Sequence, residues 1–309
     1  MDGKSYIIVA GGVNIDIGGT PSGPLIPRDS NPGKVVSSLG GVGMNIAHNL
    51  CLLGQKVSFL TAFGYDFHGQ KILSECAQIG LDMSGALCVQ NMETSTYVFL
   101  NGPDGEMELA VSDMRICEKL TPQYFEKQLM QINRAKLLII DANLPEESIE
   151  YLTKKVTIPI FADMVSTAKS RKFKNHLSGI TCIKPNRIEA QELTGIAIND
   201  EESLYETGRV LLDKGVKIVD ISLSEEGILA MTGDEKVRVK PCLSEVRNVT
   251  GAGDAAMAAL CYSFLKGKSL REAAEYANAA ASIAIESEMT VSDYMSVSQL
   301  EKRVGINYR

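Results

Sequence analysis

Late in the 309-residue chain, Asn248-Val249-Thr250-Gly251-Ala252-Gly253-Asp254-Ala255 joins two glycines to a carboxylate and an apolar run. The run from Ala255 to Leu265 has helical length and stops at Lys266-Gly267, where glycine suits a C-cap. Gly251, Ala252 and Gly253 thus open a helix whose leading N–H groups lack intrahelical partners, and such a turn attracts phosphate oxygens. A carboxylate at Asp254 repels that anion unless it has its own task, such as taking a proton from an attacking hydroxyl. The alternative is a glycine turn with an acidic residue favourably placed at a helix start.

Two further polar clusters sit where strands give way to turns. Asn14 and Asp16 alternate with Val13 and Ile15, so both project from one face of a strand end. Open α/β sheets bind ligands at such ends, although Asn and Asp also favour simple turns. In Lys184-Pro185-Asn186-Arg187-Ile188-Glu189, Asn186 suits a helix N-cap and Glu189 completes a capping-box pair. The functional reading places both on the water shell of a phosphate-bound magnesium ion, which takes few protein ligands. No Gly-x-x-x-x-Gly-Lys-Ser/Thr loop occurs, which excludes a P-loop. Neither Gly11-Gly12-Val13-Asn14 nor Gly40-Gly41-Val42-Gly43 is a Gly-x-Gly-x-x-Gly turn, which argues against a nicotinamide oxidoreductase.

These clusters need a large scaffold, and the chain supplies one. Its 45% hydrophobic and 22% charged residues match an ordinary globule, and a formal charge of −7 favours a small-molecule partner over nucleic acid. Seven scattered cysteines without Cys-x-x-Cys fit reduced thiols, and His48, His68 and His176 lack metal-ligand spacing. No basic signal region precedes the first apolar run and no apolar stretch is long enough to span a membrane, so a cytoplasmic protein is expected.

Strands are expected at Tyr6–Ala10, Val57–Phe63, Leu137–Asp141, Pro159–Asp163, Ile180–Lys184 and Lys217–Leu223. Helices are expected from Leu39-Gly40-Gly41 to Gly54, at Phe67–Gly80, Pro122–Asn133, Glu146–Lys154, near Thr167–Asn175, and at Asn186–Gly195 and Glu202–Lys214. A meander at Gly227–Thr232 and Lys236–Lys240 precedes two closing helices, Gly253–Lys266 and Leu270–Ile285, the second opened by a Ser269/Glu272 capping box. Repeated βα units imply an α/β fold with a mostly parallel central sheet and helices on both faces. Two insertions, approximately 16–39 and 92–114, break the alternation. The first holds one strand-like piece, Lys34–Leu39. The second reads as a hairpin, Thr94–Leu100 and Glu106–Val111 around the turn Asn101–Gly105. Together they form a small β-sheet lid on a single unit covering residues 1–309.

In order along the chain, Gly40-Gly41-Val42-Gly43-Met44-Asn45, Lys184-Pro185-Asn186-Arg187-Ile188-Glu189 and Thr250-Gly251-Ala252-Gly253-Asp254 resemble the ribokinase (PfkB) family of sugar and nucleoside kinases, from Tyr6 to about Val291. The resemblance implies a ribokinase-like fold and makes Gly251, Ala252 and Gly253 the anion hole and Asp254 the base. It places Asn14, Asp16, Gly41 and Asn45 on sugar hydroxyls. Asn186 falls on the nucleotide phosphates and Glu189 on magnesium through water. Ser222, Ser224, Gly227 and Asn278 fall on the nucleotide side of the cleft. ATP and Mg²⁺ follow as cofactors, with a monovalent cation such as K⁺ as a further candidate. Asn248 stands where the wider family commonly has the acid that helps such a cation, and Met44 replaces an arginine usual in the nearest branch.

That branch comprises kinases acting on pseudouridine. Its likeness is carried by Ser30-Asn31-Pro32-Gly33, Thr94-Ser95-Thr96-Tyr97, Gly105-Glu106-Met107, Ser112-Asp113-Met114, Asp141 to Glu146 including Asn143, and Asp163 to Lys169. It implies phosphorylation of the 5′-hydroxyl of pseudouridine, with Thr96, Asp113 and Asn143 among the substrate-binding residues. A lid group accepting a hydrogen bond from the base N–H that uridine lacks would set the preference, and the Thr94 to Thr96 hydroxyls and Asp113 are the candidates. Other nucleosides or sugars (adenosine, uridine, ribose) are the alternative substrates, and a non-catalytic nucleoside-binding protein is the alternative of another class. Open lid edges also invite pairing into a homodimer.

Overall fold

The apolar runs condense into a layered α/β structure in the computed structural model, which describes residues 6–104 and 106–308. β1 (Ile7–Ala10) is followed by β2 (Asn14–Pro21), β3 (Gly33–Gly40) and α1 (Val42–Leu52). Next come β4 (Val57–Leu60), β5 (Ala62–Gly64), α2 (Phe67–Ile79), β6 (Leu87–Val89), β7 (Thr96–Asn101) and β8 (Met107–Asp113). Alternation then sets in with α3 (Pro122–Ile132), β9 (Leu137–Asp141), α4 (Glu146–Lys155), β10 (Ile160–Asp163), α5 (Thr167–Ser170) and β11 (Cys182–Ile183). It continues through α6 (Arg187–Thr194), α7 (Glu201–Asp213) and β12 (Ile218–Ser222). β13 (Ile228–Met231), β14 (Lys236–Val239), α8 (Ala252–Leu265), α9 (Leu270–Ile285) and α10 (Val297–Tyr308) complete the described chain.

The central sheet has the order β14-β13-β12-β11-β10-β9-β1-β4. Six strands from β12 to β4 run parallel, β13 runs against them, and β14, antiparallel to β13, returns to their direction. Both faces are covered, because alternate residues of each strand enter different cores. Ile7 and Val9 pack with the buried faces of α1, α8, α9 and α10, whereas Ile8 and Ala10 pack with α3, α4, α6 and α7. β1 lies between β4 and β9, so chain connections diverge at its C-terminal end. That divergence creates the crevice in which such sheets bind ligands.

The second sheet, in the order β3-β2-β7-β8, is the lid. It differs from the sequence expectation in one strand. β2 starts at Asn14 and runs on through Pro21 into the lid, paired with β3 and β7. Gly18-Gly19-Thr20-Pro21 hides that strand, since glycine and proline are depleted in strands. Gly18 is needed there, because the Phe99 ring fills the space a Cβ would take. Gly105 of the expected hairpin turn lies outside the described residues.

Other differences are local. Val57–Phe63 is split into β4 and β5, and β5 pairs with β6 instead of joining the central sheet. Thr167–Asn175 forms the short α5 and a 3₁₀ turn at Arg171–Phe173. The helix α10 was not expected, although Val297, Leu300 and Val304 carry helical spacing and pack on the α8–α9 core. The capping boxes Asn186/Glu189 and Ser269/Glu272 are both formed. No helix among the described residues is long and apolar enough to cross a membrane.

Candidate active site

The floor of the crevice is tied together by Asp141 at the end of β9. Its Oδ2 accepts hydrogen bonds from the Gly12 N–H (2.9 Å), the Gly43 N–H (2.9 Å) and Asn143 Nδ2 (3.0 Å), and its Oδ1 accepts from the Asn143 N–H (2.8 Å). One carboxylate thus joins the turn after β1, the first turn of α1 and the turn after β9. Burial raises its pKa, against the pull of these donors. Gly12 stays a glycine for a steric reason, since a Cβ would meet Asn143 Nδ2 at 2.6 Å. Asn143 Oδ1 also receives a 2.6 Å hydrogen bond from Lys169 Nζ. Both ends of this expected substrate ligand are therefore engaged within the protein.

Above the floor stands the N-terminus of α8. Gly251 adopts φ 84°, a left-handed conformation that favours glycine, and a Cβ there would collide with the Thr290 carbonyl. No side chain caps this helix start. The free N–H groups and the dipole of the Gly251-Ala252-Gly253 turn suit an anion. Asp254, in the same turn, is buried, and its Oδ2 accepts a 2.8 Å hydrogen bond from Asn45 Nδ2 of α1. Burial, and next the charge of Asp163, push the Asp254 carboxyl up to about 7 against Asn45 and Lys184. An acid with that value is half ionised at neutral pH and suited to proton transfer.

Lys184 completes this corner. Its Nζ lies 3.4 Å from Asp163 Oδ2 and 3.2 Å from where a Cβ on Gly253 would stand, so the cation sits beneath the glycine turn. Burial works against the ammonium, yet Asp163 and then Glu189 and Asp254 hold its pKa above the ordinary lysine value. Asp163 is fixed in turn by the Val165 N–H at 2.9 Å. Sequence reasoning quoted Lys184, Asp163 and Asp141 within motifs but gave them no role. The available signal was polar residues ending buried strands at β9, β10 and β11.

At the start of α6, Asn186 Oδ1 accepts the Glu189 N–H (2.9 Å) and Glu189 Oε2 accepts the Asn186 N–H (2.8 Å). The capping reading thus holds, and it leaves Glu189 Oε1 without a hydrogen bond among the described residues. Burial raises the Glu189 pKa, with Asp163 adding to the rise and the Asn186 N–H opposing it. No three His, Cys, Asp or Glu residues converge as a metal cage among the described residues. The Glu189 Oε1 left over from the capping box is an oxygen that suits contact with a hydrated magnesium ion. The Ser222 N–H bonds the Pro185 carbonyl (3.0 Å), which joins β12 to the Asn186 turn. Ser224 (φ 53°) and Gly227 (φ 83°) shape the tight turn that follows. Asn278 Nδ2 donates to the Lys240 carbonyl (3.0 Å) and so braces the strand end facing α9.

On the lid side, Asn14 Nδ2 donates to Asp16 Oδ1 at 2.5 Å, which confirms that the two share one face. Burial raises the Asp16 pKa, with Asn14 opposing. A Cβ on Gly40 would strike the Asp16 carboxylate, and one on Gly41 (φ 103°) would approach the Gly12 carbonyl to 2.6 Å. These glycines let the start of α1 close on Asn14 and Asp16. Strand register places Ser38, Asp16, Tyr97 and Ser112 in one row across the lid. Thr96 and Asp113 pair with Ile15 in the neighbouring row and so face the opposite side. Asp113 is also clasped by Arg115, at 3.0 Å to Nε and 2.6 Å to Nη2. The Thr94 hydroxyl accepts the Gly64 N–H (2.9 Å) and donates to Asp66 (2.6 Å). The structure therefore does not bring Thr94, Thr96 or Asp113 to the Asp16 face, and the remaining expected base-reading hydroxyl, Ser95, is buried.

The two departures noted in the sequence have structural explanations. Met44 is buried in the core beside the Cys76 thiol (3.7 Å) and does not line the crevice. Asn248 spends its side chain on backbone groups, with Oδ1 accepting the Thr250 N–H (2.9 Å) and Nδ2 donating to the Glu288 carbonyl beyond α9 (3.1 Å). It does not offer a monovalent cation the charge an acid would.

The family described as pfkB family carbohydrate kinase matches residues 4–296. The chain is 35% identical over 302 residues to the pseudouridine kinase of Escherichia coli (strain K12), spanning 97% of this chain and 96% of that one. A carbohydrate kinase from Agrobacterium tumefaciens has a similar structure, with a TM-score of 0.88 at 29% identity over 98% of each chain. The ribokinase of Arabidopsis thaliana, solved with ribose and ATP, shares the fold with a TM-score of 0.85 at 22% identity, over 97% of this chain and 98% of that one. With the family matched along nearly the whole chain and the fold shared, the chain belongs to the PfkB family of carbohydrate kinases, as an ATP-dependent sugar or nucleoside kinase of ribokinase-like fold.

Proposed function

We propose that this kinase transfers the γ-phosphoryl group of ATP to the 5′-hydroxyl of pseudouridine, with Asp254 as general base. The observation that carries the chemistry is Asp254 in the first, uncapped turn of α8, buried and held by Asn45. The substrate reading is supported by the 35% identity to a pseudouridine kinase along nearly the whole of both chains.

Phosphoryl transfer asks for in-line positioning and charge neutralisation more than covalent help. Asp254 takes the proton of the attacking hydroxyl, a contribution of about 10²–10⁴ in rate. The Gly251, Ala252 and Gly253 amides and the Lys184 ammonium meet the charge on the migrating group, each well-placed donor contributing about 10²–10³. Asn14 and Asp16 hold the sugar, Gly41 shapes the turn beside them, and Asn45 acts on Asp254. Asn186, Ser222, Ser224, Gly227 and Asn278 form the nucleotide side. Glu189 would hold Mg²⁺ through water, where the ion would supply neutralisation of phosphate charge.

Tyr97 and Phe99 alternate outward on the Asp16 face, with ring centroids 5.8 Å apart, and offer a surface on which a nucleobase stacks. The Ser38 and Ser112 hydroxyls of the same row are the acceptors for the base N–H that distinguishes pseudouridine from uridine, in place of Thr96 and Asp113. The other lid face exposes Val35, Val98, Leu100, Leu109 and Val111 in one apolar patch, which suits a second copy of the lid in a homodimer. A monomeric mass by light scattering would contradict that pairing.

The test is ATP consumption with Mg²⁺ against pseudouridine, uridine, adenosine and ribose. Pseudouridine should give the highest kcat/KM. A higher value for any of the others would overturn the substrate assignment.

A further inference from the structure

Three strands of the central sheet end side by side under α8. Asp163 of β10 pairs in register with Asp141 of β9, and Lys184 follows Ile183, the partner of Ala162, so it falls beside Asp163. Two residues earlier on the same strands, Phe161 and Cys182 belong to the core that contains α8, so Asp163 and Lys184 point towards that helix. Two carboxylates and an ammonium thus form one buried row facing the turn that carries Asp254. Asp141 is spent on the Gly12, Gly43 and Asn143 donors. Lys184 goes to Asp163, at 3.4 Å, while Glu189 on α6, Asp254 on α8 and Asp220 on β12 act on it through their charge from further away.

The segment after Asp163 keeps that carboxylate still. Val165 has φ 63°, a left-handed conformation costly for a β-branched residue. Across it the Ser166 N–H bonds the Met164 carbonyl at 2.6 Å, which closes a tight turn of the strained γ kind. That turn directs the Val165 N–H to Asp163 Oδ1 (2.9 Å) and leaves Oδ2 for the ammonium. Strain of this sort persists only where the surroundings over-determine it, and it gathers at functional sites.

We propose that Asp163 is a positioning residue of the phosphoryl transfer: it holds the Lys184 ammonium beneath the glycine turn and away from the Asp254 carboxylate. The inference rests on the reading of Asp254 as the base. An ammonium bound to Asp254 would keep that carboxylate ionised at the expense of its basicity, and would be turned away from a phosphoryl group at the Gly251-Ala252-Gly253 amides. Lys184 Nζ instead stays under those amides, 3.2 Å from where a Gly253 Cβ would stand. The charges around Asp254 come from Asp141 on β9, Asp163 on β10 and Lys184 on β11, with the neutral Asn45 on α1. Removing the Asp163 charge therefore acts twice in one direction, since a like charge is lost and an opposite one is freed.

The experiment is kcat and kcat/KM against pH for the parent, Asp163→Asn, Lys184→Met, the double variant and Asp254→Asn, with ATP, Mg²⁺ and the nucleoside the parent uses best. Asp163→Asn should lower the acid limb by about one pH unit or more. Its kcat should fall about 10²-fold as Lys184 leaves the turn, with KM for the nucleoside nearly unchanged. In the Lys184→Met background, Asp163→Asn should change kcat by less than about threefold, because Asp163 acts through Lys184. The double variant carries no unpaired buried ammonium, so it decides the matter even where Asp163→Asn alone fails to fold. An acid limb of Asp163→Asn at or above that of the parent, or a further tenfold loss of kcat in the double variant, would overturn the proposal. Asp254→Asn keeps the two readings apart. An acid limb lost there but unmoved in Asp163→Asn would leave the base and remove the positioning role, whereas a limb retained in Asp254→Asn would remove the base and the proposal with it.

Discussion

Replacing Asn45 by alanine removes the 2.8 Å hydrogen bond that favours ionised Asp254. A hydrogen bond to a charged group contributes about 1.5–3 kcal/mol, and about 1.4 kcal/mol separates protonation states by one pH unit. The carboxyl therefore moves from about 7 upward by roughly one to two pH units. At pH 7 the ionised fraction falls from about half to about a tenth or less, and kcat/KM falls about fivefold or more. The assay is kcat/KM against pH, which reports ionisations of the free enzyme. The acid limb of Asn45→Ala should lie above that of the parent, and the two curves should converge above about pH 10. A loss of equal size at every pH, with KM raised, would instead make Asn45 a sugar ligand and refute its role on the base.

Asp141→Ala leaves the Gly12, Gly43 and Asn143 N–H groups without their acceptor, each orphan costing about 1–3 kcal/mol, so urea unfolding should show a loss of about 3 kcal/mol or more. A loss below about 1 kcal/mol would remove Asp141 as the tie of the floor. The Asp220 carboxyl titrates near 7 when folded against 3.8 in the unfolded chain, so its contribution is fully present below pH 3.8 and is lost as pH rises through 7. Asp220→Asn should thus stabilise the protein at pH 8, by up to about 4 kcal/mol, with the gain vanishing near pH 4; a gain independent of pH would contradict the assignment. Ser38→Ala or Ser112→Ala should narrow the kcat/KM preference for pseudouridine over uridine by about tenfold, whereas Thr96→Ala should leave it unchanged; the reverse pattern would return the reading of the base to the other lid face.

The scaffold was legible where periodicity is plain. Ile7–Ala10, Leu137–Asp141 and Leu270–Ile285 carry continuous or helical apolar patterns, and the structure has elements there with nearly those bounds. Glycine and proline concealed β2 because its lid half makes few packing demands on its own side chains. The glycine turn was legible because an apolar run of helical length, Ala255 to Leu265, follows Gly251, Ala252 and Gly253 at once, and the structure starts α8 there. The partners of that turn were not, since Asn45, Lys184 and Asp163 meet Asp254 only through the register of α1, β10 and β11. Side-chain facing failed in the lid for a related reason. Thr96 and Asp16 belong to different strands, and sequence alone does not give the register that puts them on opposite faces.

The central claim is that Asp254 is the base that takes the proton of the nucleoside hydroxyl. Steady-state phosphorylation of pseudouridine by the parent and by Asp254→Asn, with ATP and Mg²⁺, tests it most directly. The substitution keeps the shape and removes the base, so kcat should fall about 10²–10⁴-fold with KM for the nucleoside nearly unchanged. Turnover by Asp254→Asn within a few-fold of the parent would contradict the account.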